Sequence, residues 1–164
     1  MSGLVLRTAR VSDFDRIVEL NAVEVAHTSP MDRVRLSALA EASSYCKVAT
    51  LDEEVVAFLI ALSSSATYEN DNFSWFLARF DRFLYVDRIV VSAAHFGHRI
   101  GSRLYEDLFA FARTQGLERV TCEYNIEPPN EASRAFHDRF GFQEVGTQWV
   151  ANGAKRVSLQ VADT

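Results

Sequence analysis

The run FLYVDRIVVSAAHFGHRIGSRLYEDLFAF, residues 83–111, constrains the fold of this chain more than any other stretch. Val, Ile, Leu and Tyr dominate its first part, and no turn residue interrupts Tyr85 to Ser92, as a strand requires. Its last part places apolar residues at Ile100, Leu104, Leu108 and Phe111, a spacing that keeps one face of a helix dry. The joint between them carries Gly97 and Gly101 among histidines and arginines. A glycine-containing turn that feeds a helix start aims several unpaired backbone N–H groups at one spot, and that spot favours an anion.

The flanking elements follow from the same kind of reading. LVLRTA (4–9) reads as a first strand. Ser12 reads as the N-cap of a helix with Asp13 and Asp15 in its first turn, running towards His27. DRVRLSALAEAS gives a second short helix. SYCKVAT and VVAFLIALS flank the acidic turn LDEE, a hairpin pattern. LERVTCEYNIE (117–127) is another strand, and PPNEASRAFHDRFGF starts a helix that ends at Gly141, a C′ glycine. FQEVGTQWV and KRVSLQV close the chain around the turn ANGA. Seven aromatics crowd residues 68–85 (Tyr68, Phe73, Trp75, Phe76, Phe80, Phe83 and Tyr85). Core and lid packing is the first reading for them, and a pocket wall the second. This order predicts a single mixed α/β or α+β domain spanning 1–164.

Composition excludes some functions. A net charge of -5 with no basic stripe argues against a nucleic-acid partner. The longest apolar run, VVAFLIAL, is far short of a membrane span. Cys46 and Cys122 sit in strand-like runs without metal spacing, so free buried thiols and no metal are expected. With no targeting segment legible at the start, the expected location is cytoplasmic.

Two motifs resemble those of the GNAT acyl-CoA N-acetyltransferases. The family's phosphate loop falls on Phe96, Gly97, His98, Arg99, Ile100 and Gly101, with Phe96 where Gln or Arg is usual and Arg99 where glycine is usual. The second motif falls on Asn130, Ser133, Phe136, His137, Gly141 and Phe142, in register without a gap. The resemblance implies a mixed, mostly antiparallel sheet flanked by helices, with a splayed central strand pair. It also implies acetyl-CoA as cosubstrate, with its pyrophosphate cradled by residues 97–102, Ser102 included. The backbone of Ile89, Val90 and Val91 would meet the pantetheine arm, and Asn130, Ser133 and Phe136 would meet it from the other side. A side chain at Arg99 could obstruct the pyrophosphate or pair with it. Asn130 also suits a plain N-cap role.

The family's usual tyrosine acid is replaced here by His137, which as a protonated imidazole could help the thiolate leave, and could equally hold the arm or fill core space. Glu123 and Asp87 are acids inside apolar strands, where an isolated charge is costly. Each is a candidate base for the amine proton, with an ion pair to Arg88 or Arg82 as the structural alternative. The activity implied is acetyl transfer to a primary amine of a small molecule. The competing readings are a catalytically silent acyl-CoA-binding module and a protein N-acetyltransferase. Folds of this kind often dimerise through sheet edges, so a homodimer is the assembly to test.

Overall fold

The computed structural model describes residues 3–24 and 28–164. It runs β1 (Leu4–Thr8), α1 (Phe14–Val23), α2 (Arg33–Ala42), β2 (Tyr45–Leu51), β3 (Glu54–Ser63), α3 (Asp71–Leu77) and β4 (Leu84–Val91). There follow α4 (Ile100–Thr114), β5 (Arg119–Glu127), α5 (Glu131–Arg139), β6 (Gln143–Val150) and β7 (Lys155–Asp163). The strands hydrogen-bond in the order β1-β2-β3-β4-β5-β7-β6. The pairs β1–β2, β2–β3, β5–β7 and β6–β7 are antiparallel, and β4–β5 is parallel. The mixed, mostly antiparallel sheet with helices is the class that the sequence predicts. By contact density the chain divides into two compact units, Met1–Leu62 with Asp87–Ala110, and Ser63–Val86 with Phe111–Thr164.

In the first unit the β2–β3 hairpin turns at Asp52 and Glu53, with φ of 49° and 70°. Two successive left-handed residues match the right-handed twist of the strands they join. Val55 to Leu62 are buried along β3, so this strand is covered on both faces. Phe14, Ile17 and Leu20 of α1, Leu36 and Leu39 of α2, and Ile100, Leu104 and Leu108 of α4 are buried as well, each set at helical spacing. The expected cap at Ser12 is displaced. Val11–Asp13 form a single 3-10 turn ahead of α1, and the Asp13 carboxylate takes the Arg10 N–H at 2.7 Å. Arg7 of β1 grips the same carboxylate at 2.7 and 2.9 Å and holds it below the usual carboxylate range. The Asp13 carboxylate is thereby held back towards Arg10 and β1, and the N-cap position of α1 carries no side-chain cap bond. α1 ends at Val23, and His27, where the sequence suggests its end, lies outside the described residues.

In the second unit four of the seven aromatics of the 68–85 segment pack as core, while Tyr68, Trp75 and Phe80 are partly exposed. Phe73, Phe76, Phe83 and Tyr85 are fully buried, with ring centroids 5.5 to 6.0 Å apart. The segment also contains α3, a helix that the aromatic pattern conceals. Asn70 caps it, its side-chain oxygen accepting the N–H groups of Asn72 and Phe73 at 2.9 and 3.0 Å. On β6 the pairing with β7 jumps from Glu144↔Gln160 to Gly146↔Leu159, so Val145 is the extra residue of a bulge. Among the described residues no helix is long and apolar enough to cross a membrane.

Candidate active site

The turn before α4 belongs to the first unit. Ser92 donates its N–H to the Val56 carbonyl at 2.8 Å, tying the end of β4 to β3. A 3-10 turn (Ala93–His95) follows, and Phe96 is extended and 61% exposed. Gly97 then has φ 86° and Arg99 φ 59°. Arg99 therefore adopts the left-handed backbone that glycine would adopt freely, and its side chain is exposed. The first helical bond runs from the Arg103 N–H to the Arg99 carbonyl at 3.0 Å. The N–H groups of Ile100, Gly101 and Ser102 precede that bond and have no helical carbonyl to reach. His98 and Arg103 flank them, both exposed. This cradle of backbone donors fits a phosphate group.

On β4 the register with β5 covers only Leu84↔Val120 and Tyr85↔Thr121, although β4 continues through Ile89, Val90 and Val91. The Asp87 side chain is 2% exposed while the residue as a whole is partly exposed, so there the main chain meets solvent. That carboxylate receives Arg88 Nε at 2.7 Å. Arg88 also donates to Asn21 Oδ1 (3.1 Å), the Ser29 carbonyl (2.9 Å) and Ser29 Oγ (2.8 Å). Arg88, one of the two partners weighed for Asp87, makes an ion pair with it.

The second unit holds Glu123, which is partly exposed on β5. Its Oε1 accepts from the Tyr85 hydroxyl at 2.6 Å and from Asn72 Nδ2 at 2.8 Å, and Oε2 lies 3.0 Å from the same hydroxyl. Asn72 Oδ1 in turn accepts from Gln148 Nε2 of β6 at 2.8 Å. The packed aromatic cluster fixes the Tyr85 ring, and the Asn70 cap fixes Asn72 in the first turn of α3. Sequence reasoning singles out Glu123 but misses Tyr85, Asn72 and Gln148 as its partners. The one signal for Asn72 is the cap pattern Asn70–Asp71–Asn72.

Asn130 caps α5 by accepting the Ser133 N–H at 3.3 Å. Ser133 and Phe136 occupy the next turns of the same helix, both partly exposed. His137 is 4% exposed, packed against the rings of Tyr124, Phe136 and Phe142 at 5.2 to 5.6 Å. Its Nδ1 lies 2.7 Å from the Ser133 carbonyl. A carbonyl only accepts, so Nδ1 carries the proton of a neutral ring. Burial pushes His137 down to about 4, against the smaller opposing pull of the Ser133 carbonyl. Of the roles considered for His137, this geometry matches a neutral ring that fills core space, its Nδ1–H committed to the helix backbone. Among the described residues no cluster of His, Cys, Asp or Glu is arranged to hold a metal ion.

The family model that matches this chain, over residues 11–142, is that of the acetyltransferase (GNAT) family. Phosphinothricin N-acetyltransferase of Streptomyces coelicolor is 47% identical over 51 residues, which cover 31% of this chain and 29% of that protein. The match thus spans less than a third of the relative's length. Among solved structures, yncA of Salmonella typhimurium with its cofactor acetyl-CoA has a TM-score of 0.74 at 20% identity, covering 99% of this chain and 94% of that one. Naa50 of Arabidopsis thaliana, in complex with the bisubstrate analogue CoA-Ac-MVNAL, has a TM-score of 0.75 at 15% identity, covering 99% of each chain. At these identities the likeness is one of fold.

Proposed function

The chain belongs to the acetyltransferase (GNAT) family, and from that premise we propose that it moves an acetyl group from acetyl-CoA onto the primary amine of a small molecule by direct attack, with Glu123 taking the amine's proton. The observation that carries the base assignment is the Glu123 carboxylate itself, partly exposed and aimed by two donors within 2.8 Å. A general base must be held within reach of the proton it removes, and a carboxylate locked by a hydroxyl and an amide is held in that way.

Acetyl-CoA supplies an activated acyl carbon and a thiolate leaving group. The chain's residues do the rest. The backbone N–H groups of Ile100, Gly101 and Ser102, with His98 and Arg99 beside them, hold the pyrophosphate. Main-chain groups of Ile89 to Val91 meet the pantetheine arm and donate to the thioester oxygen as it gains charge. Asn130, Ser133 and Phe136 border the arm, and His137 holds the first turns of α5 rather than donating a proton. As the amine nitrogen bonds to the acyl carbon and the C–S bond breaks, the amine's proton passes to Glu123. The sulfur leaves as a thiolate, which needs little acid because a free thiol already ionises near pH 8.5. Asp87, neutralised by Arg88, is assigned to shaping β4. The same reading places the enzyme in a reducing cytoplasm, where Cys46 and Cys122 stay free thiols.

The test has two parts. Excess acetyl-CoA should raise the melting temperature, by the equivalent of roughly 2.7 kcal/mol at a hundredfold excess over Kd, whereas adenosine diphosphate should do less. Thiol release is then followed across small amines and N-terminal peptides. Glu123→Gln should cut kcat by about a hundredfold or more while the acetyl-CoA shift persists. Acetyl-CoA binding without thiol release from any amine would replace the enzyme reading by the silent module. Turnover of peptides alone would replace the small-molecule acceptor. Light scattering on the same sample decides between monomer and homodimer.

A further inference from the structure

We infer that Gln148, on β6, is a positioning residue that orients Glu123 through the side-chain amide of Asn72. This rests on the reading of Glu123 as proton acceptor. The polarity of the chain is forced from one end. An ionised carboxylate only accepts, so Asn72 must turn Nδ2 towards Glu123, 2.8 Å away. Its Oδ1 then faces β6, and only a donor can satisfy it there. Gln148 presents Nε2 to that oxygen at 2.8 Å. An acceptor at the same place would favour the flipped amide, which would set Asn72 Oδ1 against the carboxylate.

Two features of β6 make the contact possible. The bulge at Val145 shifts the strand's alternation, so that Gly146 and Gln148, two apart on one face, lie on the side opposite to Glu144. Gly146 then admits α3: a Cβ there would collide with Trp75 Cζ2. Trp75 and Asn72 stand three residues apart on one side of α3, so the glycine that receives the indole also sets the depth at which Asn72 meets Gln148. Cross-strand register places Glu123 and Gly146 opposite the same residue, Leu159 of β7, which lines the three strands up under the helix. The groups seen to hydrogen-bond the carboxylate in this packing include the Tyr85 hydroxyl and the Asn72 amide.

The experiment follows the 13C resonance of the Glu123 carboxyl through a pH titration in four proteins: the native chain, Asn72→Leu, Gln148→Met and the double variant. Neither acetyl-CoA nor an amine is needed, so failure here is distinct from failure of the catalytic reading. Losing the amide donor should raise the Glu123 midpoint by about one unit. Gln148→Met should raise it by part of that amount, and the double variant should match Asn72→Leu alone, because Gln148 acts only through Asn72. In turnover, Gln148→Met should lower kcat with KM nearly unchanged, and Gln148→Lys, which keeps a donor, should recover most of the loss. If Asn72→Leu does not fold, Asn72→Ser, too short to reach the carboxylate, takes its place. A Gln148→Met midpoint equal to the native one, or a shift that adds in full to that of Asn72→Leu, overturns the inference.

Discussion

Replacing Arg88 with methionine removes a guanidinium that satisfies Asp87, Asn21 and Ser29 together while nearly preserving side-chain volume. The side chains of Arg88 and Asp87 are each 2% exposed, so water cannot replace the lost donor without opening the interior. Asn21, itself fully buried, loses the donor to its Oδ1, whereas the Ser29 carbonyl keeps the Asn21 Nδ2 bond at 3.0 Å. Removing one partner of a buried pair costs about 3–5 kcal/mol, most of it from the charge left behind. For a domain of this size that corresponds to a fall of roughly 6–20 °C in melting temperature. Urea denaturation should show a lower midpoint at an unchanged slope. The diagnostic is the second substitution. Adding Asp87→Leu to Arg88→Met removes the orphaned carboxylate and should recover most of the loss, leaving about 1–2 kcal/mol. A single-variant loss below about 1 kcal/mol, or a double variant no better than the single, would show that this pair is not a buried charge pair.

Further expectations concern other parts of the chain. The unfolded His137 takes up a proton near pH 6.5 and the folded one only near 4, so stability should fall as pH drops through that window and level off below it, by roughly 3 kcal/mol in all. His137→Phe should flatten that part of the curve relative to the native protein, and parallel curves would refute the burial argument. Gly146→Ala should cost about 1–3 kcal/mol through its collision with Trp75, with partial recovery on adding Trp75→Phe, read by thermal unfolding. Arg99→Gly relieves a left-handed residue but loosens the unfolded chain, so the two effects, each about 1 kcal/mol, should nearly cancel in the free protein. The stabilisation by acetyl-CoA should nonetheless shrink, because a phosphate-pairing guanidinium is gone; an undiminished shift would leave Arg99 with no part in binding.

Much of this protein is legible in its amino-acid sequence alone. Apolar periodicity places β4, α4, β5 and the closing hairpin, and the pattern Asn130 to Phe142 carries the family, because each is a local property of consecutive residues. Elements whose signal is overlaid by another are not legible. α3 lies inside a segment whose aromatics answer to a buried core, so its helical face is hidden by residues that would be apolar in any secondary structure. The Ser12 cap is not formed, because residues 11–13 make a 3-10 turn whose Asp13 is held by Arg7 on another element. Glu123 and Asp87 look alike as acids in apolar strands, and only their neighbours in space separate them: Asp87 has Arg88 at 2.7 Å, while Glu123 has a hydroxyl and an amide. The charge of His137 is equally out of reach, since it depends on a stack of rings from β5, α5 and the residue before β6. Periodicity and turn chemistry are written in neighbouring residues. The ionisation state and direction of a side chain are set by all the groups that surround it, many of them far away in sequence, and the chain has to fold before those groups can meet.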